Sequence, residues 1–167
     1  MKIHIIGSVG SGKTTLAKSI SEKIGVPYYE LDKVVWRRTT TGDIRKSPVE
    51  IEKDLLQILQ KDSWIVEGVH QRDWVIHSFN EADIIIVLDL NYSVRVYRII
   101  KRYIRQKLNI ETANYRPTFK MFIKMFKWNH LYNRDRKKMF NMFKDNEEKL
   151  ILIKKSQDLQ IFIKEQL

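Results

Sequence analysis

The chain has 167 residues, enough for one domain with a substantial buried core. Hydrophobic residues make up 43% and charged residues 31% of it, a balance typical of folded globular proteins and unlike that of disordered chains. The absence of cysteine excludes disulfides and thiolate metal sites. The longest apolar run, Ile84 to Leu88, is far too short to cross a bilayer, and no signal-peptide pattern precedes Gly7. We therefore expect a cytoplasmic protein without a membrane partner.

The net charge of +11 is concentrated in the second half of the chain. Residues 1–90 carry 12 basic and 13 acidic side chains, whereas residues 91–167 carry 19 and 7. A basic half is typical of a protein that binds polyanions or gathers cations around phosphates in a cleft. A solvated, lysine-rich surface explains many of these charges equally well.

Short apolar strands alternate with amphipathic helices along the chain. Ser47 and Pro48 predict a helix start with an N-cap and a proline at the first position. The apolar residues around His77 also resemble a helix. This alternation predicts an α/β fold with a parallel sheet covered by helices on both faces. In chain order we predict a strand at 2–6, a helix at 13–24, a strand at 27–31, a helix from 47 through an apolar stripe to 59, strands at 64–67 and 83–90, helices at 91–108 and from 117 to about 144 with a break, a strand at 150–153 and a helix at 156–166.

Residues 7–14 match the phosphate-binding pattern G-x-x-x-x-G-K-[ST] at every specified position, between a predicted strand and a predicted helix. The glycines allow successive backbone N–H groups to converge on phosphate oxygens, and the helix N-terminus adds a positive potential. Lys13 supplies a mobile charge for the β- and γ-phosphates, and the Thr14 hydroxyl is suited to Mg²⁺. The sequence therefore predicts that ATP and Mg²⁺ bind at Gly7, Ser8, Val9, Gly10, Ser11, Gly12, Lys13, Thr14 and Thr15.

Several candidate residues directly follow strands, where ligands bind in parallel α/β sheets. Asp32 is a candidate general base or hydrogen-bond partner for an acceptor, with a turn or helix cap as the alternative. Glu67 could order Mg²⁺-bound water, or it could be a solvated carboxylate. Asp89 has a weaker case because it could cap the next helix. His70 could reach an acceptor, but nothing pairs with it in the sequence.

Four arginines recur at three- and four-residue spacing and are expected on one helix face. Arginine matches phosphate geometry through its paired N–H donors. Arg98 and Arg102 are predicted to neutralise charge on the transferring phosphoryl group, whereas a solvated face is the better explanation for Arg105. The row consists of Arg95, Arg98, Arg102 and Arg105.

A second basic run lies at residues 134–138, on the helix expected to return towards the loop. Arg134 and Arg136 are two residues apart, so at most one of them can point into the site from a regular helix. Arg134 is the candidate nucleotide contact, and Arg136 is the alternative. The nearby apolar residues Met121, Phe122, Met125, Phe126 and Trp128 are more simply core than ligand contacts.

The glycine loop, the run Tyr29–Trp36, the run Trp64–Gly68 and the helix carrying Arg98 and Arg102 together resemble adenylate-kinase-related P-loop proteins, in particular the subgroup of topology modulation proteins. The resemblance implies a nucleoside monophosphate kinase fold in one domain, 1–167, with five parallel strands in the order 2-3-1-4-5. It also implies a short mobile lid around residues 105–116.

The resemblance further places the acceptor site at residues 32–72. Glu67, Gly68 and Arg72 would correspond to an acidic residue, a glycine and a phosphate-binding arginine of adenylate kinases, and Arg37 or Arg38 would be a second phosphate contact. Asp32 would be the acceptor-side aspartate of related small-molecule kinases. The run at 67–72 is one residue longer than its adenylate kinase counterpart and lacks the proline, so AMP is not implied as the acceptor.

Three functions follow from these patterns. The first is an ATP- and Mg²⁺-dependent phosphotransferase acting on an unidentified small molecule, with Lys13, Asp32, Arg98 and Arg102 as catalytic residues and Thr14 and Glu67 at the metal. The second is a nucleic-acid-associated protein, although no nucleic-acid-binding motif is present. The third is a nucleotide-gated regulator that binds ATP without an acceptor.

Overall fold

The computed structural model describes residues 1–39, 42–70, 72–111, 117–155, 157–158 and 161–162. Among the described helices, none combines the length and apolarity needed to span a bilayer. The elements in chain order are β1 (Lys2–Gly7), α1 (Lys13–Ile24), β2 (Tyr28–Glu30), α2 (Leu31–Val35), β3 (Trp36–Thr39), β4 (Gly42–Arg45), α3 (Pro48–Leu59), β5 (Trp64–Glu67), α4 (Asp73–Glu81), β6 (Ile84–Leu88), α5 (Tyr92–Lys107), α6 (Phe119–Arg134), α7 (Arg136–Asn141), a 3₁₀ helix (Lys144–Lys149) and β7 (Leu150–Ile153).

Five parallel strands form the central sheet in the order β2-β5-β1-β6-β7. Without the separate antiparallel hairpin β3–β4, this is the predicted order 2-3-1-4-5, so the predicted α/β fold class is confirmed. The register aligns the carboxyl ends of the inner strands, since Gly7 lies opposite Leu88 and Glu67 lies opposite Glu30. The loops that follow these strands therefore meet along one edge of the sheet.

Each face of the sheet buries its own apolar cluster. One face packs α1 against the strands through Leu16, Ala17 and Ile20. The other face buries larger side chains from α3, α4 and the segment after α7, including Phe79 and Phe143. Burial on both faces explains the nearly continuous apolar character of β1 and β6, which is typical of parallel strands.

Side-chain hydrogen bonds cap the N-termini of two helices, one of which was predicted at Ser47. The Ser47 hydroxyl accepts from the backbone N–H of Glu50, and the Glu50 carboxylate accepts from the backbone N–H of Ser47 at 2.9 Å, a complete capping box. Thr118 caps α6 through the backbone N–H of Met121. At α5 the N-cap residue is Asn91, without a hydrogen bond from its side chain.

The structure differs from the predicted elements at several points. The second strand is shorter than predicted, because Leu31 already begins α2, and neither α2 nor the β3–β4 hairpin was predicted. The break that was predicted in the long helix from residue 117 lies at Asp135, between α6 and α7. Trp128, predicted as core, is 48% exposed. Within the predicted closing helix only 157–158 and 161–162 are described, and they are helical, while 112–116 of the predicted lid lie outside the described residues.

Candidate active site

The glycine loop joins the end of β1 to the start of α1. Gly10 and Gly12 have φ angles of +77° and +97°, a region that residues with a Cβ rarely adopt. The backbone N–H of Ser11 donates to the carbonyl of Ser8 at 3.2 Å, which draws the loop into a compact turn. The Lys13 ammonium lies 3.2 Å from the same carbonyl oxygen, so its charge is held over the loop.

The first turns of α5 lie directly behind this loop. A Cβ placed on Gly10 would lie 2.8 Å from the backbone oxygen of Arg95 and 3.1 Å from Cγ1 of Ile99. Arg98 donates from Nη1 to the carbonyl of Ser11 at 2.8 Å. The predicted arginine helix is therefore in contact with the predicted phosphate loop, through both its backbone and a guanidinium.

Helix α6 contacts the loop from a third side. The Ser8 hydroxyl donates to the side-chain oxygen of Asn129 at 3.1 Å, and both residues are buried. Sequence reasoning missed Asn129. The detectable signal was its position at helical spacing between Met125 and Tyr132, which puts a polar residue on the buried face of α6.

Thr14 and Glu67 bring two oxygen groups together beside the loop. The Thr14 hydroxyl donates to Oε1 of Glu67 at 2.6 Å, and Glu67 is only 5% exposed. Burial raises the pKa of Glu67, while the charge of Lys13 and the hydrogen bond from Thr14 lower it. The carboxylates of Glu30 and Asp32 also raise this pKa. A carboxylate is thus held in an environment that disfavours its charge unless a cation lies close by.

The oxygen donors at this position fit a nucleotide-borne Mg²⁺. In the described part of the chain, no cluster of three or more His, Cys, Asp or Glu side chains could hold a metal ion by itself. Mg²⁺ commonly binds through one or two protein oxygens and completes its coordination with phosphates and water. Thr14 and Glu67 match that limited donor set.

At the neighbouring strand ends, Asp32 meets His70. Nε2 of His70 lies 3.2 Å from Oδ1 of Asp32, the partner that the sequence did not reveal. The approach depends on Gly68, because a Cβ there would lie 2.7 Å from Cβ of Leu31. The structure therefore brings Asp32, Glu67, Gly68 and His70 together.

The remaining predicted acceptor arginines lie at the edge of this region. Arg37 donates to the Glu50 carboxylate at 3.0 Å on the exposed side of α3. Arg72 is exposed at the N-cap of α4. The side chain of Arg38 lies outside the described residues.

The arginine row on α5 separates into different environments. Arg102 donates to Sδ of Met125 at 3.3 Å, and Arg105 pairs with Glu111 at 3.2 Å near the surface. Arg95 is 1% exposed and donates to the side-chain oxygen of Asn133 at 2.6 Å. Burial lowers the pKa of Arg95, and its guanidinium lies over the Tyr132 ring. Arg95 therefore joins α5 to α6 from inside the protein.

The two arginines of the second basic run differ in their partners. Arg134 is exposed and pairs with the adjacent Asp135 at 2.8 Å. Arg136 pairs with Asp89, directly after β6, donating from Nε at 3.0 Å. Asp89 therefore holds a cation at the carboxyl edge of the sheet, and Arg136 rather than Arg134 lies at that edge.

The comparisons with known proteins agree with this architecture. No protein-family model matches the chain. A protein of Thermococcus kodakarensis described as a "Putative adenylate kinase" is 32% identical over 114 residues, which are 66% of this chain. The chain spans 63% of the length of that curated relative.

Solved structures match nearly the whole chain. A shikimate kinase from Bacteroides thetaiotaomicron has a TM-score of 0.62 at 14% identity and covers 98% of this chain and 94% of its own. A deoxyadenosine kinase from M. mycoides with bound dATP has a TM-score of 0.52 at 17% identity and covers 98% and 95%. The chain has a P-loop kinase fold. Within this fold, the glycine loop and the residues after β2 and β5 form one continuous candidate site.

The contact between Gly10 and α5 yields a prediction with an internal control. Gly10→Ala places a Cβ against the Arg95 carbonyl at a strained φ and should weaken ATP binding by at least about tenfold, because the loop must shift. Gly25→Ala has a similar φ of +70° with nothing within 4 Å, so it should lose about 1 kcal/mol of stability and keep ATP affinity. Isothermal titration with Mg·ATP measures both variants. Equal affinities would contradict the packing role of Gly10.

The buried Glu67 predicts opposite effects on stability and on metal-dependent binding. Since burial raises its pKa, the charged form is disfavoured in the folded protein above the unfolded-state pKa. Glu67→Gln should therefore unfold at the same or higher urea concentration than wild type at pH 7.5, with the difference vanishing towards pH 4.

The same variant should reduce the Mg²⁺-dependent part of ATP affinity by about 10- to 100-fold. Thr14→Ser keeps the hydroxyl and serves as the matched control, with near wild-type affinity. A Glu67→Gln protein that is clearly less stable at pH 7.5, yet binds Mg·ATP normally, would refute the metal role.

Proposed function

We propose that this protein is an ATP-dependent phosphotransferase that transfers the γ-phosphoryl group to a small-molecule acceptor. The main support is the glycine loop, because it combines glycines at positive φ, the Lys13 ammonium and the Arg98 guanidinium beside the Thr14–Glu67 pair. Such convergence of donors at a helix N-terminus suits a polyphosphate. The curated relative's name and the kinase names of the solved structures support the same activity.

In this proposal the loop binds the donor nucleotide. The backbone amides of residues 7–14 and Lys13 hold the β- and γ-phosphates, and Thr15 lies in the first turn of α1 beside them. Arg98 already contacts the loop and is the first candidate to stabilise charge on the transferring group. Arg102 lies one turn further along α5. It would be a second candidate for this role if its guanidinium left Sδ of Met125 to bind phosphate.

Thr14 and Glu67 would hold Mg²⁺, directly or through water. When bound, the ion would offset the negative charge of the nucleotide phosphates. Glu67 would then exchange an unfavourable buried charge for a paired one, which agrees with its raised pKa. Arg134 is a weaker nucleotide candidate than proposed from the sequence, because its guanidinium is engaged by Asp135 at the surface.

The acceptor would bind beyond β2 and β5, between Asp32 and the segment that follows Glu67. Phosphoryl transfer relies on positioning and electrostatics, so no covalent nucleophile is required. Arg72 is exposed at the rim of this region and could bind an anionic part of the acceptor, whereas Arg37 would first have to leave Glu50. The same proposal includes membership of the topology modulation subgroup, a cytoplasmic location and a single domain with a lid at 105–116.

Transfer from γ-labelled ATP to pooled metabolites tests this function. Wild type should label at least one acceptor in the presence of Mg²⁺, and Lys13→Ala should reduce the rate by about 10²- to 10³-fold because it removes a charge from the phosphates. Lys18→Ala is the matched control, since Lys18 lies on the same helix and pairs at the surface with Glu22. Asp32→Asn should retain ATP binding while losing transfer.

Two outcomes would overturn the proposal. The first is full ATP binding and turnover by Lys13→Ala, which would exclude the loop as the donor site. Alternatively, wild type could label nothing yet bind nucleic acid in a filter assay, with an affinity that falls steeply as salt rises. That result would support the nucleic-acid-associated alternative suggested by the basic second half of the chain.

A further inference from the structure

The solvent side of helix α5 is apolar. Four large side chains, between 38% and 63% exposed, recur there at three- and four-residue spacing and form the apolar stripe: Tyr97, Ile100, Ile104 and Leu108. The buried residues of the helix lie almost opposite the stripe at 3.6 residues per turn, and they are Arg95, Ile99 and Gln106. A surface helix normally turns polar side chains to water. Contiguous exposed apolar surface typically marks an interaction site.

Two exposed lysines border the apolar stripe. By helical spacing, Lys101 and Lys107 lie about 60° to either side of its centre. Their ammonium groups lie 5.9 Å from the centroids of the Tyr97 and Tyr103 rings, respectively. A lysine can lay its hydrocarbon stem along an apolar surface while its charged end reaches outwards. The outer face of α5 is therefore both apolar and cationic.

The charges around this face are almost all positive. Between Asp89 and Asp135 the sequence has 11 lysines and arginines and one acidic residue, Glu111. That carboxylate pairs with Arg105 at 3.2 Å. Neither α5 nor α6 contains an aspartate or a glutamate. Helix α6, which packs against α5, adds three exposed lysines, namely Lys120, Lys124 and Lys127. A partner of this region must therefore be anionic.

We propose that the apolar stripe and its flanking lysines dock on an anionic lipid surface, with α5 lying in the plane of the bilayer interface. From residue 97 to residue 108 the stripe is about 16 Å long. Its side chains would enter the boundary between headgroups and acyl chains, and Lys101 and Lys107 would meet the lipid phosphates. The inference is independent of the proposed function. The sequence-based expectation of no membrane partner rested on the lack of a spanning run, which a helix in the interface does not need.

The combination of charge and apolarity favours lipid over two other partners. A second copy of the chain, packed stripe to stripe, would bring Lys101 and Lys107 towards the same lysines without a carboxylate on either helix. Nucleic acid would attract the lysines, but its phosphate backbone offers nothing to the aliphatic side chains of Ile100 and Ile104. An anionic bilayer surface satisfies both sets of side chains.

Co-sedimentation with lipid vesicles tests the docking surface. Wild type should bind vesicles of equal parts phosphatidylglycerol and phosphatidylcholine, and should not bind phosphatidylcholine alone. The double variant Ile100→Gln/Ile104→Gln should bind the anionic vesicles at least about tenfold more weakly, because two apolar side chains no longer leave water. Leu56→Gln is the matched control, since Leu56 on α3 is 38% exposed, as Ile100 is. It should bind as wild type does.

The lysines predict a separate electrostatic contribution. Lys101→Gln and Lys107→Gln should each weaken binding to the anionic vesicles about fivefold, and added salt should weaken wild type more than the double lysine variant. Isothermal titration with Mg·ATP checks that every variant remains folded. Since neither the stripe nor these lysines belong to the candidate active site, ATP affinity should equal that of wild type.

A fluorescent label distinguishes insertion from adsorption. The chain has no cysteine, so Ile104→Cys and Leu56→Cys each provide one attachment point for a polarity-sensitive dye. The dye at residue 104 should shift to shorter wavelengths with anionic vesicles, and the dye at residue 56 should not. An unchanged emission at residue 104 would overturn the inference, as would equal vesicle binding by wild type and the double isoleucine variant.

Two further outcomes would identify a different partner. Binding to duplex DNA in a salt-dependent filter assay, without binding to vesicles, would assign the cationic face to nucleic acid. A dimer in sedimentation equilibrium that Ile100→Gln/Ile104→Gln dissociates, again without vesicle binding, would assign the stripe to a second copy. Either result overturns the lipid surface. Neither bears on the phosphotransferase assay, so the proposed function stands or falls separately.

Discussion

The close approach of α5 to the glycine loop is the constraint on which the rest of the site depends. The Arg95 carbonyl lies in the space that any side chain at residue 10 would occupy, and Ile99 fills the adjoining space. Because β6 leads directly into α5, this contact connects the loop after β1 to the neighbouring strand. Arg98 then reaches the Ser11 carbonyl, and Asn129 reaches Ser8 from α6. The close packing of α5 against Gly10 thereby places the Arg98 guanidinium at the loop.

The positive and negative side chains of the site lie on different sides of it. Cations lie on the α5 side of the loop, and the carboxylates of Glu30, Asp32 and Glu67 lie at the ends of β2 and β5. Burial disfavours the charged form of Glu67 and raises its pKa, and Lys13 and Thr14 offset part of this effect. A group that lowers stability in the free protein and gains a partner from the ligand is typical of functional sites.

Much of the fold follows from local sequence patterns. Strands β1 and β6 are nearly continuous apolar runs because helices cover both faces of the sheet, and the glycine loop has a fixed spacing that needs no tertiary information. The capping box at Ser47 and Glu50 is likewise local. The β3–β4 hairpin escaped prediction because its residues are polar and largely exposed, so they carry no hydrophobic periodicity. The five-residue helix α2 is too short to show one.

Some site residues could likewise be predicted from local sequence patterns, and others could not. Residues at the glycine loop and at strand ends could be found because chain position alone puts them at one edge of the sheet. The even spacing of the four arginines did not reveal that Arg95 is buried against Tyr132 while Arg105 lies near the surface. Nor could it show the partner of His70, which depends on how closely Leu31 packs on Gly68. Distances between segments far apart in sequence are set by packing, which one sequence does not display.

The central claim is that the backbone amides of residues 7–14 receive the phosphates of a nucleotide. A crystal structure with Mg²⁺ and a non-hydrolysable ATP analogue tests it most directly. The account predicts that these amides surround the β-phosphate, that Lys13 turns from the Ser8 carbonyl to the phosphates, and that Thr14 contacts the metal or its water. A nucleotide bound elsewhere, with Lys13 still on Ser8, would contradict it.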